Sequence, residues 1–570
     1  MDTTGLHPPR RLAVLVVVAL LTTACGSSQS SAAPSGQGTA PPSQAPNATP
    51  SGTPAAAHGG TLTFAVEGAI DTLDPAIGYN TNAMPAERLM FESLLDYDDG
   101  ATIVPSLAEA LPTISSDGTV YTFTLRRGVK FVKGDGTVLR EVTAKDVVAS
   151  LNRLLDPNLK PTPSPVAGAF FTIIRGGRDV VDGKASEATG LKAIDDRTVE
   201  ITLERASGSF LNVVALPFAA VVPTELAGTD TDAFAKAPVG TGPFRLADVE
   251  AGQAYRFVRN EAYWNPASQL VDEIVYRVNV DANTQLQEVQ AGKLDIMGND
   301  IPAGAWDGVR NDPRWKDQIA SLPLVETNFV WLNTGMTDTP IANVKVRQAV
   351  GHAIDRANIV KVVGEGRSTA ATQIFPPAMP GHDPAFDPYP YDPAKAKALL
   401  AEAGFGSGFS TTLYTDSSDT SKAITQSMQQ DLAAVGITVE IVQQPFDVLV
   451  GTISTPKKAP MTYIGWFQDY PDPSDFIDPI LSCVTAVQGG SNYAFYCNEE
   501  VDALAAAANV EPDPAKRIAA YQEVQARVLA DAPVIPTDHA TAVGLISKRV
   551  TAFAFHPVWL FTLARYGLSE

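Results

Sequence analysis

The sequence predicts a mixed α/β body built from more than one domain. Two observations carry this. Alternating apolar and polar residues over Thr61 to Val66, Val120 to Leu125, Thr198 to Leu203, Tyr255 to Val258 and Glu273 to Val278 have the period of half-buried strands, and amphipathic helical stretches lie between them. The body from Gly59 to Glu570 also exceeds what one hydrophobic core normally supports. No internal repeat or heptad register suggests a solenoid or a coiled coil.

The chain opens with Arg10 and Arg11, an uncharged apolar run from Leu12 to Leu21, and then Leu21-Thr22-Thr23-Ala24-Cys25-Gly26. About ten apolar residues are too few to span a hydrocarbon core of roughly 30 Å, so this is the pattern of a secretory signal, residues 1–24. Small residues before a Cys followed by Gly resemble the bacterial lipobox, although Thr22 stands where that motif usually has an aliphatic residue. The resemblance implies that Cys25 becomes a lipidated N-terminus. From Gly26 to His58 there is no Asp, Glu, Lys or Arg, and a composition of Gly, Ser, Ala, Pro, Thr, Gln and Asn cannot bury a core. Residues 25–58 therefore read as a tether, with a coil span of roughly 30 Å.

Within the body, Asp117-Gly118 is a hairpin turn before the strand from Val120. Thr143 with Asp146 three residues on is an N-cap pattern, and Asp156-Pro157 ends the helix it starts. Gly240, Gly242 and Pro243 form a stiff turn, a tight structural turn or a hinge. Pro340 to Val360 reads as one long helix. Arg347 and Arg356 flank Asp355 on it, a spacing typical of a solvated or salt-bridged face. Asp392-Pro393 opens another helix that ends at Gly404.

Lys and Arg total 42 against 63 Asp and Glu, a formal net charge of -21. Such a surface repels nucleic acid and anionic lipid, so neither is an expected partner. Beyond Cys25 only Cys483 and Cys497 remain, and in an oxidising compartment a close pair is expected to bridge. His58, His352, His382, His539 and His556 form no HExxH pair and no cluster at metal spacing, and there is no C-x-x-C or G-x-S-x-G. The stretch Gly177 to Ala185 lacks the glycine spacing and the hydroxyl of a phosphate loop. No metal, cofactor or catalytic residue is therefore expected, and a secreted hydrolase is the rival class.

Several blocks, in order, resemble the extracellular solute-binding proteins of the oligopeptide, dipeptide and nickel group. They are Val104-Pro105-Ser106-Leu107-Ala108-Glu109; Ser116 to Phe131; Thr143-Ala144-Lys145-Asp146-Val147; Pro238 to Phe244; Asn343 to Ala349 with Ala353-Ile354-Asp355-Arg356; and Gly465-Trp466-Phe467-Gln468-Asp469-Tyr470-Pro471-Asp472-Pro473. The resemblance implies a periplasmic-binding-protein-like clamshell (type II, cluster C). Residues 59–102, 225–325 and 540–570 would form lobe I, 103–224 an inserted domain and 326–539 lobe II. It also implies a monomer that captures an oligopeptide or dipeptide and delivers it to the permease of an ABC importer. Other members take oligosaccharides, opines, haem or nickel complexes.

Trp466 to Asp475 gathers three aromatics and three acids around two prolines. A shielded carboxylate beside an aromatic wall suits an ammonium ligand. In the peptide binders the acid three residues after this Trp holds the ligand α-amine, and by position that is Asp469, with Trp466 and Tyr470 beside it. Asp469 and Asp472 have a competing role as turn caps. Asn333 and Thr334 follow a run that resembles a cleft-lining strand. Arg367 is a candidate for a ligand carboxylate, and Tyr79 for the cleft mouth.

Overall fold

The computed structural model describes residues 59–569. The signal, the tether and Cys25 lie outside them. Among the described residues no helix is long and apolar enough to cross a membrane.

The expected strands form, and they divide between sheets. Thr61–Ala65 lies parallel to Glu273–Arg277 and to Ile296–Met297, and the hairpin Phe244–Glu250/Ala254–Arg259 extends that sheet on one side. Val120–Thr124 pairs with Thr198–Thr202 in a separate four-stranded antiparallel sheet. Gly118 takes φ 70° at its turn, a conformation glycine adopts without a Cβ penalty. Helix Ala144–Leu155 starts at a capping box between Thr143 and Asp146 and packs Val147, Leu151 and Leu154 inward. Both sheets share one apolar core, with Phe64 and Tyr276 on one side and Phe123, Phe171 and Phe210 on the other.

A second core surrounds a larger sheet, in the order Ile319–Pro323, Val534–Leu545, Glu326–Leu332, Met461–Phe467, Phe409–Asp416 and Ile437–Gln444. Val534–Leu545 ties this sheet to the first half of the molecule. One end, through Val534 and Ile535, packs in the second core. The other, through Val543 and Leu545, packs with Leu286, Leu294 and Trp306.

Two sequence expectations need correction. The helix expected from Pro340 to Val360 is two helices, Val344–Ala353 and Arg356–Val363, because Ile354 is extended and the Asp355 side chain caps the second by accepting from Asn358 N. Nor do Arg347 and Arg356 form a solvated face, since both are buried. Arg347 donates to the carbonyls of Ile341, Ala342 and Asp531, and Arg356 to those of Tyr389 and Pro536. Gly240 and Gly242 prove to be packing glycines. A Cβ on either would come within 2.0 to 2.5 Å of the Met90 and Leu89 carbonyl oxygens, within the first core.

Cys483 and Cys497 are joined. The chain-entropy model assigns a loop of this size about 3 kcal/mol, so changing both to Ser is expected to lower unfolding free energy by roughly that amount in a denaturant titration.

Candidate ligand site between the two cores

Strand Met461–Phe467 delivers Trp466 at its end, and the chain then leaves the second core. Pro471 and Pro473 exclude a regular helix here, and Pro473–Phe476 is a single 3-10 turn capped by Asp472. The segment reaches across to the first core. Tyr470 is buried there with its ring edge-on to Phe170, centroids 5.8 Å apart, and Gln468 donates to the Pro557 carbonyl.

Asp469 sits at this crossing and is 7% exposed. The Tyr79 hydroxyl donates to its Oδ1 at 3.1 Å, joining residues 390 positions apart in sequence. Tyr79 lies just ahead of helix Met84–Met90 at the edge of the first core, 37% exposed, with its ring packed on the core residue Phe218 at 5.5 Å. Burial pushes the Asp469 carboxyl up to about 7, against the hydrogen bond donated by Tyr79 and the lowering influence of Asp475. Among the described residues it has no cationic partner. A desolvated carboxylate without a counter-ion is a site of unmet charge.

Asp475, one of the three acids of this stretch but given no role from the sequence, lies beneath it at 0% exposure. Its Oδ2 accepts from the Asp469 backbone N–H at 2.9 Å and from the Trp466 indole at 3.4 Å. Asp472 plays the capping role foreseen as an alternative: it accepts from Ser474 N and takes both terminal nitrogens of Arg517 at 2.7 Å.

The other expected residues are engaged within the protein. Asn333 is buried, donates to the Ala459 carbonyl and accepts from Gly335 N. The Thr334 hydroxyl faces the carbonyls of Ala494 and Phe495, fastening the disulfide loop. Arg367 is buried, donates to the Ile301 carbonyl and lies 3.7 Å from Asp300. Tyr493, also unforeseen, stands edge-on to Trp331 at 5.2 Å. A cavity of about 400 Å³ in the first core, lined by Glu92, Tyr263, Trp264 and Arg565 among others, includes none of the expected site residues.

The model of bacterial extracellular solute-binding proteins, family 5 (Middle) matches residues 102–488. The chain belongs to that family. Family 5 consists of extracytoplasmic solute-binding proteins rather than enzymes. Di/tripeptide-binding protein 1 of Pseudomonas aeruginosa is 30% identical over 514 residues, 88% of this chain and 92% of the relative. Heme-binding protein A of Haemophilus influenzae is 31% identical over 505 residues, 86% and 88% of the two chains. The solved structure of a periplasmic binding protein DppA from Helicobacter pylori in complex with the peptide STSA superposes with a TM-score of 0.78 at 26% identity, covering 90% of this chain and 99% of that one. The family 5 fold is the two-lobed clamshell, and the segment carrying Asp469 runs between its two cores.

Proposed function

We propose that this protein captures a short peptide between its lobes, holding the α-ammonium on Asp469, and passes it to an ABC importer permease while Cys25 anchors it to the membrane by lipid. The observation that carries the reading is the buried Asp469 carboxylate. It has no cationic partner among the described residues, and it is approached from the opposite core by Tyr79. A peptide ammonium supplies the missing charge in a charge-assisted hydrogen bond, the stronger class of such bonds in a shielded site. Relatives whose names specify di- and tripeptides support the same ligand class.

In this reading residues 59–102, 225–325 and 540–570 act as one lobe with 103–224 inserted, and 326–539 as the other. Asn333 and Thr334 brace the walls through bonds within the protein, and Arg367 is held by its terminal nitrogens on the Ile301 carbonyl and beside Asp300. The similarity to a haem-binding relative keeps a second reading, a non-peptide ligand on the same scaffold. Mass spectrometry of ligand released from natively purified protein separates the two. Short peptides are expected, and haem or a sugar oligomer in their place overturns the peptide assignment.

A further inference from the structure

The two carboxylates under the crossing segment are not equivalent. Asp469 accepts from a hydroxyl at the lobe boundary. Asp475 is fully buried, one oxygen accepts two N–H groups, and its Oδ1 is buried with no hydrogen-bond partner. The ionisable groups that face the pair are Tyr79 at the edge of the first core, Tyr97 within it, and Tyr470 and Asp472 from the same segment. None of these is a cation. The nearby guanidinium of Arg517 is held in a bidentate pair by Asp472.

We propose that Asp475 is a protonated positioning residue: its Oδ1 carries a hydrogen while Oδ2 holds the Asp469 backbone and the Trp466 ring in place, leaving Asp469 alone to carry the charge that meets a ligand. The inference deepens the reading of Asp469 as the ammonium anchor and rests on it. A neutral acid answers the orphaned oxygen, because an ionised Oδ1 buried without a donor bears the full desolvation cost whereas an O–H there bears much less. Burial and the neighbouring Asp469 both raise the Asp475 carboxyl well above the ordinary carboxylate range. Two buried acids pushed apart by their surroundings divide into a neutral partner and a charged one.

The linkage sign is definite. Folded Asp475 keeps a proton that the unfolded chain gives up above about pH 4, so this group stabilises the fold at low pH and the benefit falls as pH rises. Asp475→Asn mimics the protonated form and has no such slope, while Asp469 titrates in both proteins and cancels. In denaturant titrations without ligand, the unfolding constant of wild type relative to D475N is expected to rise about tenfold per pH unit between about pH 5 and 7. A ratio that is flat or falls with pH overturns the proposal. Calorimetry with alanyl-alanine supplies the positioning readout. Asp475→Ala is expected to weaken binding at least thirtyfold, on the order of one lost set of buried hydrogen bonds, and D475N to recover most of that loss. Equal losses in the two variants overturn the neutral role. If wild type does not bind alanyl-alanine, the reading of Asp469 fails, and the ligand-free titration still decides where the proton lies.

Discussion

Asp469→Ala is expected to weaken capture of a short peptide by about 3 to 5 kcal/mol, the scale for removing one partner of a buried ion pair. The reason is geometric. Asp469 is 7% exposed and held at the crossing by Tyr79 and by its own backbone bond to Asp475, so its loss leaves a peptide ammonium desolvated beside neutral groups. Asp469→Asn keeps the shape and removes the charge, and most of the affinity is expected to go with it. Calorimetry on the two variants measures this directly. The pH dependence follows from the same group. Burial has raised its carboxyl to about 7, so falling pH neutralises the acceptor while the peptide amine stays charged. Affinity is therefore expected to drop through the acidic range, approaching tenfold per pH unit once the carboxyl is mostly protonated. An affinity that is flat from about pH 5 to 7.5 removes Asp469 from the role.

The second large effect is on stability. Arg153 and Asp74 form a buried pair, with Nη1 donating to Oδ1 at 2.9 Å and side-chain exposures of 6% and 0%. Asp74 also accepts from Ala76 N, and its carbonyl closes the turn at Ile77 and Gly78 that leads to Tyr79. Helix Ala144–Leu155 is thereby tied to the segment that presents the Tyr79 hydroxyl to Asp469. Replacing Arg153 by Met leaves an unpaired carboxylate in the first core, and a loss of about 3 to 5 kcal/mol of unfolding free energy is expected. Adding Asp74→Leu is expected to restore much of it, because two apolar residues no longer carry a desolvation cost. Denaturant titration of the single and double variants tests both statements. A loss below about 1 kcal/mol in the single variant contradicts the pair's importance.

Local features are legible where turn and cap residues agree with the apolar pattern around them. The strand at Val120 is framed by a turn and an alternating pattern, and the helix from Ala144 by Thr143 and Asp146, so their limits could be read directly. The break at Ile354 was not legible. The apolar spacing runs up to it without interruption, and Asp355 reads equally well as a helix-surface charge or as a cap. Arg347 and Arg356 misled for another reason. Their partners are main-chain carbonyls such as Asp531 and Pro536, supplied by a strand and a helix end nearly two hundred residues away. In the site, Trp466, Asp469 and Tyr470 were found through a block that resembles a known family. The approach of Tyr79 to Asp469 and the position of Asp475 beneath it arise only when the two cores come together. Side chains such as Asn333 and Arg367 looked available because a sequence does not show which backbone groups already occupy them.

The most direct test is calorimetric titration of the wild-type protein at about pH 7.5 with a short peptide and with its N-acetylated twin, in which a neutral acetamide replaces the ammonium. A free peptide that binds and a twin weakened by about 3 kcal/mol or more are the expected pair of results. Equal binding of the two contradicts Asp469 as an ammonium anchor and favours a neutral ligand in the same cleft.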